Sequence, residues 1–169
     1  AFYFDIRKDA LYCDAAAAPR RRAARTVIDE IFRRIVTWYA PILCFTMEEA
    51  WTTRFGAETS VHLQDFIAAP ADWADAALIE KWKRVRELRR VVTGALELQR
   101  ADKKIGSSLE AAPTLVLEDR ADADIVQDVA FAEVAITSGF AVILGGSTPE
   151  DFRLPDVPRA AARFARAAG

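Results

Sequence analysis

One stretch constrains the fold more than any other. Across residues 78–106, Leu78, Trp82, Val85, Leu88, Val92, Leu96 and Gln99 recur at steps of three or four. That spacing places the first six on one face of an α-helix. The opposite face carries Lys81, Lys83, Arg84, Arg86, Arg89, Arg90 and Arg100, and Lys103 and Lys104 follow at its end. Gly106, with two serines behind it, is the expected stop. A cationic face of this kind is ordinarily solvated. The concentration of cations at the helix end, beside a turn, points instead to phosphate. We read the stretch as a long docking helix.

At 169 residues the chain makes about one domain, or one with a small appendage. With 52% hydrophobic residues, four Trp and ten Phe it can build a core. No apolar run is long enough to span a membrane, and no secretory pattern opens the chain. Ala1 is not a natural initiator, so a fragment is expected. Cys13 and Cys44 lie far apart without CxxC spacing. They read as reduced, small core residues of a cytoplasmic protein and cannot form a zinc site.

The net charge of −2 hides a strong asymmetry. Residues 1–55 hold nine Lys/Arg against seven Asp/Glu, and residues 56–77 hold none against four. Residues 78–105 hold nine against four, and residues 106–169 five against ten. A polyanion would have to meet the helical parts and avoid the C-terminal third.

Residues 2–14 read as the tail of a helix and a turn. Residues 19–39 form the clearest helix, with Pro19 at its first position. Its apolar face is Val27, Ile28, Ile31, Phe32, Ile35, Trp38 and Tyr39, with Arg33, Arg34 and Thr37 facing away. Arg20, Arg21, Arg22 and Arg25 crowd its first turns and oppose the helix dipole. A phosphate partner or solvated charge offset by Asp14, Asp29 and Glu30 would each account for them. A further helix over 41–55 buries Leu43, Met47, Ala50 or Trp51, and Phe55. Its adjacent Glu48 and Glu49 point about 100° apart, so they make no catalytic dyad; one is expected to hold an arginine of a neighbouring helix. Trp38 and Trp51 are assigned to the core. His62, the only histidine, sits in an acidic loop over 56–77, at a short extended piece, and reads as structural. A His-based triad or metal site is excluded. Beyond 106, strands are expected at 114–117, 131–137 and 141–144, with a helix at 121–130. Residues 148–169 read as an irregular or partly helical tail.

Three stretches together resemble the C-terminal region of bacterial isoleucyl-tRNA synthetases, which are class I enzymes. They are FYFDIRKDALYCD at 2–14, APILCFTMEEAW at 40–51 and RADKKIGSSLEA at 100–111. The helix ending in a proline turn before Glu48-Glu49-x-Trp51-like sequence is similar to valyl and leucyl relatives too. Phe45-Thr46 before Met47, and Lys8-Asp9 with Leu11-Tyr12-Cys13-Asp14, resemble the isoleucyl branch. Arg20 to Ala24 and the Thr137-Ser138-Gly139 turn also fit, and the likeness covers about 1–147. It implies a mainly α fold: an antiparallel helical bundle of the class I anticodon-binding type over 1–105, then a small α+β junction subdomain over 106–147. It also implies that the catalytic domain, its HIGH and KMSKS signatures and the editing domain lie outside this piece. ATP and magnesium would belong to the parent, and the cysteines of the family's C-terminal zinc site are not in this chain.

The resemblance thus implies a cytoplasmic module that binds the tRNA anticodon arm and docks on the parent's other domains, without catalysis of its own. Charge and position nominate Arg7, Lys8, Arg20, Arg21, Arg22, Arg100, Lys103 and Lys104 as RNA-binding residues. The competing reading is a non-catalytic helical interaction domain docking on acidic protein surfaces or on the parent's other domains. A stand-alone enzyme has no nucleophile–base pair or metal cluster to support it.

Overall fold

The computed structural model describes residues 2–167, which fall into two compact units, 1–74 and 75–169. The division precedes the basic helix, whereas the sequence placed the boundary after it, at 105/106. The reason is what that helix packs against.

In the first unit, α1 (Phe2–Ile6) and α2 (Lys8–Tyr12) are single-turn helices, and α2 packs on α3 (Pro19–Tyr39). Proline at the first helical position costs α3 no hydrogen bond, since that N–H has no helical partner. A short turn leads into α4 (Cys44–Phe55). Val36, Ala40, Trp51 and Val61 form the core between them, with Phe32, Met47 and Phe55 packed around it. The buried side of α3 is therefore rotated from the expected one. Arg34 and Thr37 turn inward, while Val27, Ile35 and Trp38 remain exposed. Arg34 is accommodated because Glu30 takes its Nη1 at 2.6 Å and the Ala68 carbonyl takes Nη2. Trp73 lies beneath the same guanidinium. Trp38, 44% exposed, is not a core residue; its indole donates to the Ile67 carbonyl. Trp51 is buried and donates to Thr59. Both cysteines are exposed rather than in the core.

Leu43, expected on the buried face of α4, is exposed, and among the described residues no arginine pairs with Glu48. Its Oε2 accepts from the Ser60 hydroxyl and the Val61 amide at 2.9 Å each, which pins the loop to α4. Residues Val61–Leu63 are accordingly a 3-10 turn and not an extended piece, and His62 Nε2 lies 3.2 Å from the Cys44 carbonyl.

The second unit is built on α5 (Ala76–Ala101), capped by Asp75, whose carboxylate accepts the Leu78 amide. Val85, Leu88, Val91, Val92, Ala95 and Leu96 are buried, so the expected stripe is packed from Val85 to Leu96, whereas Leu78 is exposed and Trp82 half-buried. Its stop is not Gly106. Lys103 takes the left-handed conformation at φ 58°, with its amide on the Arg100 carbonyl and the Lys104 amide on the Gln99 carbonyl. That pair of bonds is a Schellman ending, usually built with glycine.

Four strands follow: β1 (Thr114–Leu117), β2 (Ala141–Leu144), β3 (Phe152–Arg153) and β4 (Ala160–Arg163), in sheet order β2-β1-β4-β3. β1 and β2 are parallel, connected through α6 (Arg120–Gln127) and α7 (Phe131–Ala135), and β4 runs antiparallel to β1 and β3. The stretch at 131–137, read as a strand, is helical because Phe131, Val134 and Ala135 bury at helical spacing. The expected irregular tail supplies β3 and the central β4. Ala160, Ala161 and Ala162 are fully buried there, small enough for α5 to pack against the strand. Position in the sheet overrides the helical preference of alanine.

Candidate nucleic-acid interface

The four arginines that open α3 divide into two kinds. Arg20 grips the Asp14 carboxylate through Nε at 2.8 Å and Nη2 at 2.9 Å. Arg21 donates to the Asp14 backbone carbonyl at 2.8 Å. Arg20, with help from Arg21, holds the Asp14 carboxyl below the usual carboxylate range against a smaller opposing effect of burial. These two arginines brace the turn between α2 and α3. Arg22 and Arg25 are exposed, and no ion pair or hydrogen bond engages their guanidinium groups among the described residues. Lys8 pairs with Asp5 at 3.0 Å, and the Arg7 guanidinium stands 5.7 Å from the Tyr3 ring centre. Arg7, Lys8, Arg20, Arg21 and Arg22 thus share the first unit.

In the second unit most of the basic face of α5 is not a docking surface. Arg84 holds Asp122, Arg90 holds Asp156 at 2.8 Å, Lys81 pairs with Asp128, and Arg89 donates to the Val134 carbonyl. Three of the cations of residues 78–105, Lys81, Arg84 and Arg90, are spent on acids of the C-terminal third. That pairing joins two segments whose opposite charge the sequence displays but whose contact it does not. What remains is the end of the helix: Arg100 is paired with Glu97, Lys104 with Asp102 at 3.1 Å, and Lys103 is exposed. Ser107 and Glu110 close the next turn with a capping box, and the Gly106 and Ser107 amides lower the Glu110 pKa.

Arg25 and Arg54, which are outside the candidate RNA-binding set, lie near its α3 members. Both line an open depression on α3 together with Arg22 and Leu11. The three-residue step from Arg22 to Arg25 was the available signal. Apolar side chains also stand free on this unit: Ile42, Phe45 (92% exposed) and Leu63 surround the α3–α4 turn and the 3-10 turn. Among the described residues no group of three His, Cys, Asp or Glu is placed to hold a metal ion, and no helix is long and apolar enough to cross a membrane.

The sequence that builds these two units has known relatives. Residues 1–116 match the family described as the anticodon-binding domain of tRNA ligase, and the chain belongs to that family. Along its whole length it is 53% identical to the isoleucine–tRNA ligase of Brucella abortus, covering 17% of that protein. It is 55% identical over 158 residues to the isoleucine–tRNA ligase of Mesorhizobium japonicum, and 50% over 157 to that of Bartonella henselae. Each of these two matches covers 93% of this chain and 16% of the relative. The chain therefore spans about a sixth of the length of the curated relatives it matches.

Proposed function

We propose that this chain is the anticodon-arm-binding module of a cytoplasmic isoleucine–tRNA ligase, whose whole attaches isoleucine to tRNA with ATP. The module binds and positions the tRNA and performs no chemistry itself. The observation that carries this is the full-length match to isoleucine–tRNA ligases, lying across the anticodon-binding family's own span. The exposed cations at the start of α3 and the end of α5 supply what an RNA backbone needs. In this reading α3 and α4 are later helices of an antiparallel bundle, which their short connection and shared core support. Arg7, Lys8, Arg20, Arg21, Arg22, Arg100, Lys103 and Lys104 form its RNA-binding set.

A second role is supported by the exposed Ile42, Phe45 and Leu63. Exposed apolar side chains of this size suit docking on the other domains of the parent enzyme. The test is binding of the chain to an isoleucine tRNA anticodon stem–loop at two salt concentrations, beside a stem–loop with its anticodon changed. Salt-dependent binding that weakens when the anticodon changes supports recognition. Equal weak binding to both leaves electrostatic docking alone, and no binding refutes the reading.

A further inference from the structure

The arginines that open α3 read in sequence as one basic patch, yet the geometry separates them by what each already holds. Arg20 and Arg21 are bound to the side chain and carbonyl of Asp14. Arg22 and Arg25 are exposed, have no partner among the described residues, and project from one side of the helix at a three-residue step. Both line the depression that also carries Arg54, Asp29 and Glu30.

The acids in that depression do not neutralise them. Asp29 accepts from Arg33 Nε at 2.8 Å and from Arg54 Nη2 at 3.0 Å. These two arginines, Arg33 first, hold its carboxyl below the ordinary range, against the opposing effect of burial. Glu30 is taken by Arg34. Each carboxylate already has its own cation, so the charges of Arg22 and Arg25 stand unbalanced. They also sit in the first turns of α3, where the dipole disfavours cations. Two guanidinium groups in that position with no internal partner cost the fold a little and stabilise nothing in it.

We propose that Arg22 and Arg25 are the pair through which the first unit grips phosphates of an RNA strand, with Arg20 and Arg21 acting as positioning residues that fix the turn leading into α3. This assignment rests on the tRNA reading above, adds Arg25 to the binding set and removes Arg20 and Arg21 from direct contact. A guanidinium with free N–H donors matches a phosphate bidentately, whereas Arg20 is already forked onto a carboxylate and Arg21 has its Nη1 on the Asp14 carbonyl and its Nε buried.

The test compares the intact 169-residue chain with an Arg22→Ala/Arg25→Ala double variant, an Arg22→Lys/Arg25→Lys variant and Arg20→Ala, against the isoleucine anticodon stem–loop over a salt series. The double alanine variant should keep the melting temperature and lower the slope of log K against log salt by about 1.4–1.8, near 0.7–0.9 for each lost phosphate contact. The lysine variant should restore most of the slope, because the charge returns. Arg20→Ala should lower the melting temperature and leave the slope unchanged. If the unmodified chain binds with a salt slope that the double variant does not reduce, or if Arg20→Ala reduces it as much, the assignment is wrong while the tRNA reading stands. Polyglutamate bound as tightly as the stem–loop, and lost equally in the double variant, would assign the pair to acidic protein surfaces and overturn it. No salt-dependent binding by the unmodified chain would overturn both.

Discussion

Arg84 on α5 and Asp122 on α6 meet in two parallel hydrogen bonds, Nε to Oδ1 at 2.7 Å and Nη2 to Oδ2 at 2.6 Å. Arg84 also reaches Glu87 at 2.8 Å. The two acids, Asp122 first, raise the Arg84 pKa well above its ordinary value. The Asp122 side chain is 8% exposed and that of Arg84 28%. Removing the arginine strands a buried carboxylate, whereas removing the aspartate leaves Arg84 with Glu87 and water. Arg84→Ala should therefore destabilise the second unit by about 2–3 kcal/mol and Asp122→Ala by about 1–2 kcal/mol. Urea unfolding of the two single variants and the double variant measures this. Equal costs for the two single variants would show that the carboxylate is not stranded.

Gly94 lies in the middle of α5, where glycine weakens a helix by about 1 kcal/mol relative to alanine. Its use is visible at Phe152 on β3: an added Cβ would fall 2.6 Å from Cε1 and 2.7 Å from Cζ of that ring. Overpacking of this kind costs about 1–3 kcal/mol, so it outweighs the propensity gain. Gly94→Ala should lower the melting temperature, and Phe152→Leu should suppress the effect. A higher melting temperature for Gly94→Ala would mean that the ring yields freely.

Lys103 closes α5 with φ at 58°, a conformation that costs a side-chain-bearing residue about 1–2 kcal/mol. It is exposed and has no partner among the described residues, so nothing in the fold offsets that cost. Lys103→Gly should stabilise the second unit by about 1 kcal/mol, a rise of roughly 4–8 °C in Tm for a unit of this size. If Lys103 also contacts RNA, the same substitution lowers the salt slope by about one unit. Calorimetry and the salt series read the two effects separately.

Asp151 accepts from Arg163 at 2.9 and 3.0 Å and from the Thr148 amide at 2.8 Å. Arg163 foremost, opposed by burial and helped by Thr148, holds its pKa down to about 2 from 3.8. A carboxyl depressed on folding adds stability that is fully present above the unfolded value and is lost as pH falls from about 4 through about 2. With Arg163 half exposed, the contribution is of order 1 kcal/mol after screening. Arg163→Gln should shift acid unfolding to higher pH and flatten the loss of stability between pH 4 and 2. An unchanged acid profile would show that the pair contributes nothing.

Periodicity located the two long helices: α3 begins at Pro19 and ends at Tyr39 as read, though on a different buried side, and from Val85 to Leu96 the buried stripe of α5 is the one its spacing marks. β1 and β2 were legible as short apolar runs between turns. Local pattern failed where burial was assigned by elements distant in the chain. Ala160 to Ala162 carry no strand signal, and only a place between β1 and β3 beneath α5 makes small residues necessary there. The candidate site divides along the same line. Counting charges found the arginines of α3 and the cations of α5, because composition is written in the chain. Which of them are free was decided by tertiary pairing. Asp14 takes Arg20 and Arg21, and Asp122, Asp128 and Asp156 take the face of α5. A charge is local, but its partner is chosen by how the chain folds back.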